Sequence, residues 1–262
     1  MPETATGRGS LAESRLHLAR KFFTIVAFVL FSGDTLPATE TVLQTTDRLF
    51  AARDNVENLR QAIALLEKGI VSTPKDYELF WRLAKYNYYL ADQIVEKNDR
   101  LKHYDTGVDL AKRAIGIDDN RPEGHFWLAA NYGEYAELKG PFRSLWLVRI
   151  IRQEFERAFA IDRSFENGSL YLALGELYLR LPWLMGGNHQ RGIELLEEGI
   201  KAAPSNADLC LTLAEYYLKD GRLSDARKLA GMVLTLSDPL RSPKELEELR
   251  SRSRILQEKL GK

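Results

Sequence analysis

The side chains that could do chemistry in this 262-residue chain are few and poorly spaced for it. Four histidines, His17, His103, His125 and His189, lack the His-Glu-x-x-His or related spacing that brings two imidazoles to one metal ion. The one cysteine, Cys210, falls at an apolar position of a helical repeat, where a thiol acts as a small buried hydrophobe. A single cysteine also excludes an intrachain disulfide. Gly186-Gly187 is not followed by the Gly-Lys-Ser/Thr of a phosphate-binding loop, and no Gly-x-Ser-x-Gly elbow occurs. Acidic pairs such as Glu197-Glu198 lie on polar helix faces. These residues predict no enzyme, no cofactor and no metal site. What the chain does hold is side chains suited to binding, in two groups: Trp81, Lys85, Tyr88, Tyr89, Phe126 and Leu172, and Phe142, Arg143, Trp146, Arg149, Trp183 and Met185.

The elements that must position them are helices in pairs. From Gly168 to Pro204 the chain reads as two helices back to back, with Leu174, Gly175 and Tyr178 in the first and Gly192, Leu196 and Gly199 in the second, closed by Pro204. A Leu-Gly-x-x-Tyr block, small residues at fixed offsets and a final Pro form the signature of a tetratricopeptide repeat (TPR). Four further units share the register of the second helix: Ala62, Leu66, Gly69; Gly107, Ala111, Ala114; Ile151, Phe155, Ala158; and Ala226, Ala230, Val233. First helices agree, as in Phe80-x-x-Leu83-Ala84 and Cys210-x-x-Leu213-Ala214-x-x-Tyr217. The predicted fold is all-α, a TPR-type solenoid of about five helix pairs over residues 39–240. Such an array buries its core between neighbours and needs a polar cover at its end. Residues 241–262 supply a C-terminal capping helix, opened by a capping box at Ser242-Pro243-Lys244-Glu245 and striped by Leu246, Leu249, Leu256 and Leu260. Gly199 and Ala114 are expected at helix crossings, where a larger side chain would overfill the contact.

The units differ in the turn between their two helices. The fifth is short, whereas the second, third and fourth carry insertions, all on one edge of the solenoid, where repeat proteins often carry function. ADQIVEKNDRLKHYD in the second lengthens two helices. KGPFRSLWLVRII in the third is apolar with arginines, and either packs on the next hairpin or faces a partner or membrane. In the fourth, Pro182 ends one helix, Asn188 caps the next, and Trp183 and Met185 are either tucked under the loop or a contact point. On the inner face the repeat register directs Glu78, Trp81, Lys85, Tyr88 and Tyr89 inward from the second unit. The third contributes Glu123, Phe126, Ala130, Gly133 and Glu134, the fourth Leu172, Glu176 and Leu179, and the fifth Asp208, Leu211, Glu215 and Leu218. Its apolar and aromatic centre suits a hydrophobic small molecule or an amphipathic helix of a protein partner. Only Lys85 resembles the pattern of a TPR carboxylate clamp.

Basic and acidic residues balance at 37 each, unlike the excess of positive charge in a nucleic-acid binder. Oligomer formation stays open. Residues 1–38 read as an export signal: Arg15, Arg20 and Lys21 precede the apolar run Phe22 to Phe31, followed by Ser32, Gly33 and Ala38. The alternatives are an uncleaved membrane anchor or a first core helix. No cysteine follows the run, so the expected protein is periplasmic or otherwise exported and not lipid-anchored.

From about Gly124 to Val233 the chain resembles the TRAP-transporter-associated TPR (TatT-like) family. The carrying residues are Gly124-His125-Phe126-Trp127-Leu128-Ala129-Ala130-Asn131, Ala158-x-x-Ile161-Asp162, Gly168, Leu174-Gly175-x-x-Tyr178, Pro182 and Gly186-Gly187. That resemblance implies a periplasmic protein that partners a solute-binding protein of a TRAP transporter, with an apolar channel for a hydrophobic solute. The helical layout is also similar to regulators of microtubule dynamics, whose cytoskeletal role an export signal argues against. Two functions follow: an exported binding component, or a cell-envelope scaffold for protein–protein interaction without a small ligand.

Overall fold

The computed structural model describes residues 41–261; the predicted export segment lies outside them. Eleven α-helices follow one another among the described residues: α1 (Val42–Ala51), α2 (Val56–Ser72), α3 (Tyr77–Asp92), α4 (Lys97–Ile117), α5 (Pro122–Lys139), α6 (Pro141–Ile161), α7 (Phe165–Arg180), α8 (His189–Ala202), α9 (Ala207–Lys219), α10 (Leu223–Val233) and α11 (Pro243–Leu260). Each packs mainly on its sequence neighbours, and α1/α2, α3/α4, α5/α6, α7/α8 and α9/α10 are the five predicted pairs. The chain is an all-α TPR-type solenoid.

Local sequence explains where the helices start. Thr41 and Ser242 head capping boxes with Gln44 and Glu245, and Asn55, Asp76, Asn188 and Asn206 each accept a hydrogen bond from a first-turn amide. Pro122, Pro141 and Pro243 occupy first helical positions, where a missing N–H costs nothing. The core is then filled by the positions the repeat register names: Leu66, Ala111, Ala114, Ala158, Leu196, Ala226, Ala230 and Val233 have little or no exposed surface. Gly199 is a crossing point as expected. A Cβ there would stand 2.7 Å from the Cβ of Tyr171 and 3.0 Å from a methyl of Leu209. Cys210 is fully buried.

The insertions take three forms. That of the second unit extends the end of α3 and the start of α4. That of the third is almost wholly helix: α6 begins at Pro141, directly after Gly140 (φ 88°), and its Leu147 and Ile151 enter the core. That of the fourth is a loop with one 3-10 turn, Trp183–Met185, ending in left-handed Gly186. Asn188 Oδ1 accepts from Arg191 N at 3.0 Å and so caps α8.

One local feature departs from repeat geometry. Glu166 (φ 41°), Asn167 (φ 51°) and Gly168 (φ 80°) are left-handed in succession, so the regular part of α7 starts only at Ser169. Gly suits this conformation, whereas Glu and Asn are strained in it and persist only if their surroundings hold them. They are held. Asn206 Nδ2 donates to Asn167 O at 2.8 Å, Ser169 Oγ donates to Glu166 O at 2.7 Å, and the Glu166 carboxylate is 2.5 Å from Lys85 Nζ.

Candidate ligand groove

The inner faces of α3, α5 and α7 line a cavity of about 1000 Å³. Its walls include Tyr88 and Tyr89 from α3, Phe126, Trp127, Gly133 and Glu134 from α5, and Leu172, Ala173 and Glu176 from α7. This is the predicted concave face for the second, third and fourth units. The fifth contributes nothing to it. Leu211 is fully buried, and Glu215 and Leu218 face a separate shallow depression shared with α11. The closing helix lies against α9 and covers that part of the concave face.

The same helix start also reaches the first described helix pair. Arg53, between α1 and α2 and only 3% exposed, forks onto the Glu245 carboxylate, with Nε to Oε1 at 2.8 Å and Nη2 to Oε2 at 2.5 Å. Nη2 also donates to Leu240 O at 2.7 Å. Asp54 accepts from the Ser242 hydroxyl and, at 3.1 Å, from Lys244 N. The first pair and the cap therefore meet, and Asp54, Arg241, Lys244 and Glu245 wall the cavity on the side that an open solenoid leaves to solvent.

The floor is aromatic. The Tyr88 and Trp127 rings are 5.6 Å apart, Tyr89 and Trp127 6.0 Å, and Phe126 and Trp127 4.9 Å. Lys85, predicted inward, is not among the residues that line the cavity. Its Nζ lies 4.9 Å from the Phe50 ring centre and 5.3 Å from that of Trp127, so its charge is taken up by π-faces as well as by Glu166. Trp127 is 3% exposed, and its Nε1 has no hydrogen-bond partner among the described residues. Trp81, also predicted inward, stands outside the cavity: its Nε1 donates to Glu78 Oε2 at 2.8 Å, and Arg82 stacks on its ring. Phe126 and Leu172 line the cavity, Phe126 largely from within the core.

Toward the C-terminal ends of α3, α5 and α7 the wall becomes acidic. Asp92 accepts from Tyr104 Oη at 2.6 Å, and burial raises its carboxyl above the ordinary range. Glu134 makes no hydrogen bond or ion pair among the described residues. Burial first, then repulsion from Asp92 and Glu137, pushes its pKa up to about 7; Arg100 and Arg180 oppose this. The folded state therefore holds more protons than the unfolded one between the ordinary carboxyl pKa and 7. Glu134 is expected to withdraw stability as pH rises through that window and to change nothing further above it. Thermal melts at pH 5 and pH 8 should show a smaller loss on alkalinisation in Glu134→Gln than in the parent.

The second predicted group lies elsewhere, on the edge formed by the turns within the repeat pairs. Trp146 and Trp183 are 62% and 79% exposed, so neither is tucked away. Arg149 is exposed, Met185 is half-buried, and Phe142 and Arg143 fall where side chains are outside the described set. Arg152, with Arg143 and Arg149 one of the arginines of the third unit's apolar stretch, donates to Met185 O at 2.7 Å and braces the loop.

The described histidines have structural partners. His125, buried, contacts the Glu154 carboxylate at 2.6 Å and Asp119 O at 3.0 Å. His103 contacts Asn87, and His189 contacts Asp220. No group of three metal-ligating side chains occurs among the described residues.

Comparison with known proteins places this geometry. A family model described as regulator of microtubule dynamics protein 1-3 matches residues 42–180, more than half of the chain. A tetratricopeptide-repeat model matches residues 184–235. Among solved structures, a thermophilic TPR protein of Thermus thermophilus is similar at 21% identity, with a TM-score of 0.58 over 82% of this chain and 96% of that one. PilW, a type IV pilus biogenesis factor, is similar at 17% identity, with a TM-score of 0.50 over 84% and 90% of the two chains. At these identities the likeness is one of fold. No curated protein matches the chain.

Proposed function

We propose that this chain, which belongs to the regulator of microtubule dynamics protein 1-3 family, is a non-enzymatic TPR binding protein whose groove takes up an amphipathic ligand. The ligand is a small molecule with an apolar body, or an apolar segment of a partner protein. The observation that carries this reading is the cavity itself. An adaptor that used its outer surface alone would have no reason to keep about 1000 Å³ open beside Tyr88, Tyr89 and Trp127 while bridging both ends of the solenoid across it. The Asp92–Glu134 wall calls for a ligand with a donor or a positive charge. The export signal read in residues 1–38 puts this binding in the periplasm or beyond, where a solute-binding protein of a TRAP transporter is a fitting partner. Regulation of microtubules, which the family's description names, would instead require the full chain in the cytosol. The scaffold reading draws support from the exposure of Trp146 and Trp183 and can coexist with an occupied groove.

Gly133 provides the test. It lines the cavity from within α5, and a Cβ added there meets nothing within 4 Å. Gly133→Trp should fill the groove without disturbing the core, and tryptophan favours a mid-helix position over glycine by a few tenths of a kcal/mol, about half of what alanine would give. The expected result is loss of Nile red binding with an equal or higher melting temperature. Binding of Nile red equally to both forms, or to neither, would overturn the groove reading.

A further inference from the structure

We infer that the edge carrying the α5–α6 and α7–α8 turns docks on the surface of an anionic lipid bilayer. Four large apolar side chains stand out there: Leu145 is 49% exposed, Trp146 62%, Trp183 79% and Leu184 76%. They come from two separate elements, the first turns of α6 and the 3-10 loop after α7. The two are tied together, because Arg152 donates to Met185 O at 2.7 Å and lies over the Tyr178 ring at 5.5 Å. Leu145 precedes Arg152 by seven residues, so it shares that face of α6 about two turns, roughly 11 Å, farther out. The loop is presented rather than loose. Gly186 adopts φ 83°, and a Cβ there would strike the Arg152 guanidinium at 2.4 Å.

Charge selects the occupant. The whole chain is electrically balanced, yet no acidic residue occurs between Glu137 and Glu154, a stretch that holds Lys139, Arg149 and Arg152, nor between Glu176 and Glu194. Arg149 is exposed and makes no ion pair among the described residues. Lys139 lies over the Tyr135 ring, 5.4 Å from its centre. Tryptophan and leucine projecting from two tips, with arginine and lysine behind them, match the headgroup region of an anionic membrane. The carboxylates that reach these stretches are engaged, Asp220 by His189, Glu176 by Arg180 and Glu156 by Tyr178. No helix among the described residues is long and apolar enough to cross a bilayer, so the contact is peripheral. A protein partner or a second copy of the chain would also bury tryptophans, but neither requires an exposed arginine without an ion-pair partner among the described residues beside them.

The test uses the full chain with vesicles of phosphatidylcholine alone or mixed with phosphatidylglycerol, each with and without brominated acyl chains. Bromine quenches only tryptophans that enter the bilayer, so attachment through any other part of the chain does not mimic the result. The parent should be quenched by brominated vesicles containing phosphatidylglycerol and much less by phosphatidylcholine alone. The Trp146→Phe/Trp183→Phe double variant, which retains Trp81 and Trp127, should sediment with the vesicles but lose the quenching. Arg149→Ala should weaken sedimentation with anionic vesicles about fivefold at low salt, as expected for one basic group at a charged surface. Equal quenching in parent and double variant, or unchanged affinity in Arg149→Ala, would overturn the proposal. So would self-association of the unquenched parent that the double variant abolishes, which would assign the edge to a second copy.

Discussion

Arg53→Ala should lower the stability of the protein by about 3 kcal/mol and loosen both ends of the solenoid at once. Removing one member of a buried ion pair typically costs about 3–5 kcal/mol, because the remaining charge is left without a partner. The lower end applies here, since Glu245 is a quarter exposed and can recruit water, and Arg241 stands 4.0 Å away. The rest of the cost comes from lost packing: the guanidinium lies over the Phe50 and Tyr89 rings at 4.5 and 4.9 Å. In an ordinary solenoid, damage in the first unit spreads only to its neighbour. In this chain the Arg53 side chain touches a helix start 192 residues away. Hydrogen exchange should therefore accelerate in α11 as well as in α1 and α2, with α5 to α7 much less affected. Exchange confined to α1 and α2 would mean that the two ends are in contact without being coupled.

Much of this architecture was legible because repeat geometry is local. Small residues at fixed offsets mark helix crossings, and the crossings found at Ala114, Ala158, Gly199 and Ala230 are where the spacing puts them. The capping box at Ser242 was readable for the same reason. The block Gly124–Asn131, one of those that carry the resemblance to the transporter-associated family, lies within the segment matched by the microtubule-regulator family model. Long-range features were not legible. Nothing near Arg53 or Asp54 in the sequence announces Glu245 or Ser242, and a one-dimensional stacking rule does not say that the superhelix closes. That closure also explains the inner positions that did not line the groove: α11 packs against α9, so Leu211 became core. Trp81 was displaced by a different cause. Glu78 and Arg82 on its own helix hold its indole outside the cavity. The left-handed Glu166–Asn167 pair was invisible as well, since neither residue type is unusual in a helix and the contacts that hold it come from Asn206 and Lys85.

Phe126→Ala is expected to cost about 3–5 kcal/mol, the range for truncating a core aromatic, even though Phe126 borders the groove. Its ring is 8% exposed and is clasped by Trp127, Phe155 and Phe165 at 4.9, 5.6 and 5.1 Å, which ties α5 to α6 and to the start of α7. Removing it leaves a cavity that helices fixed by their other crossings cannot close. Leu172 is a lining residue of another kind. It is half-buried, faces the open volume, and its truncation to Ala should cost much less, about 1 kcal/mol. The pair separates packing from binding. Chemical denaturation of both variants, together with Nile red titration, should show Phe126→Ala losing stability and binding together, and Leu172→Ala losing binding with stability nearly intact. Should Phe126→Ala unfold at the parent's denaturant concentration, its ring would be contributing to the groove and not to the core, and the junction of α5, α6 and α7 would have to be held by Trp127 and Phe155 alone.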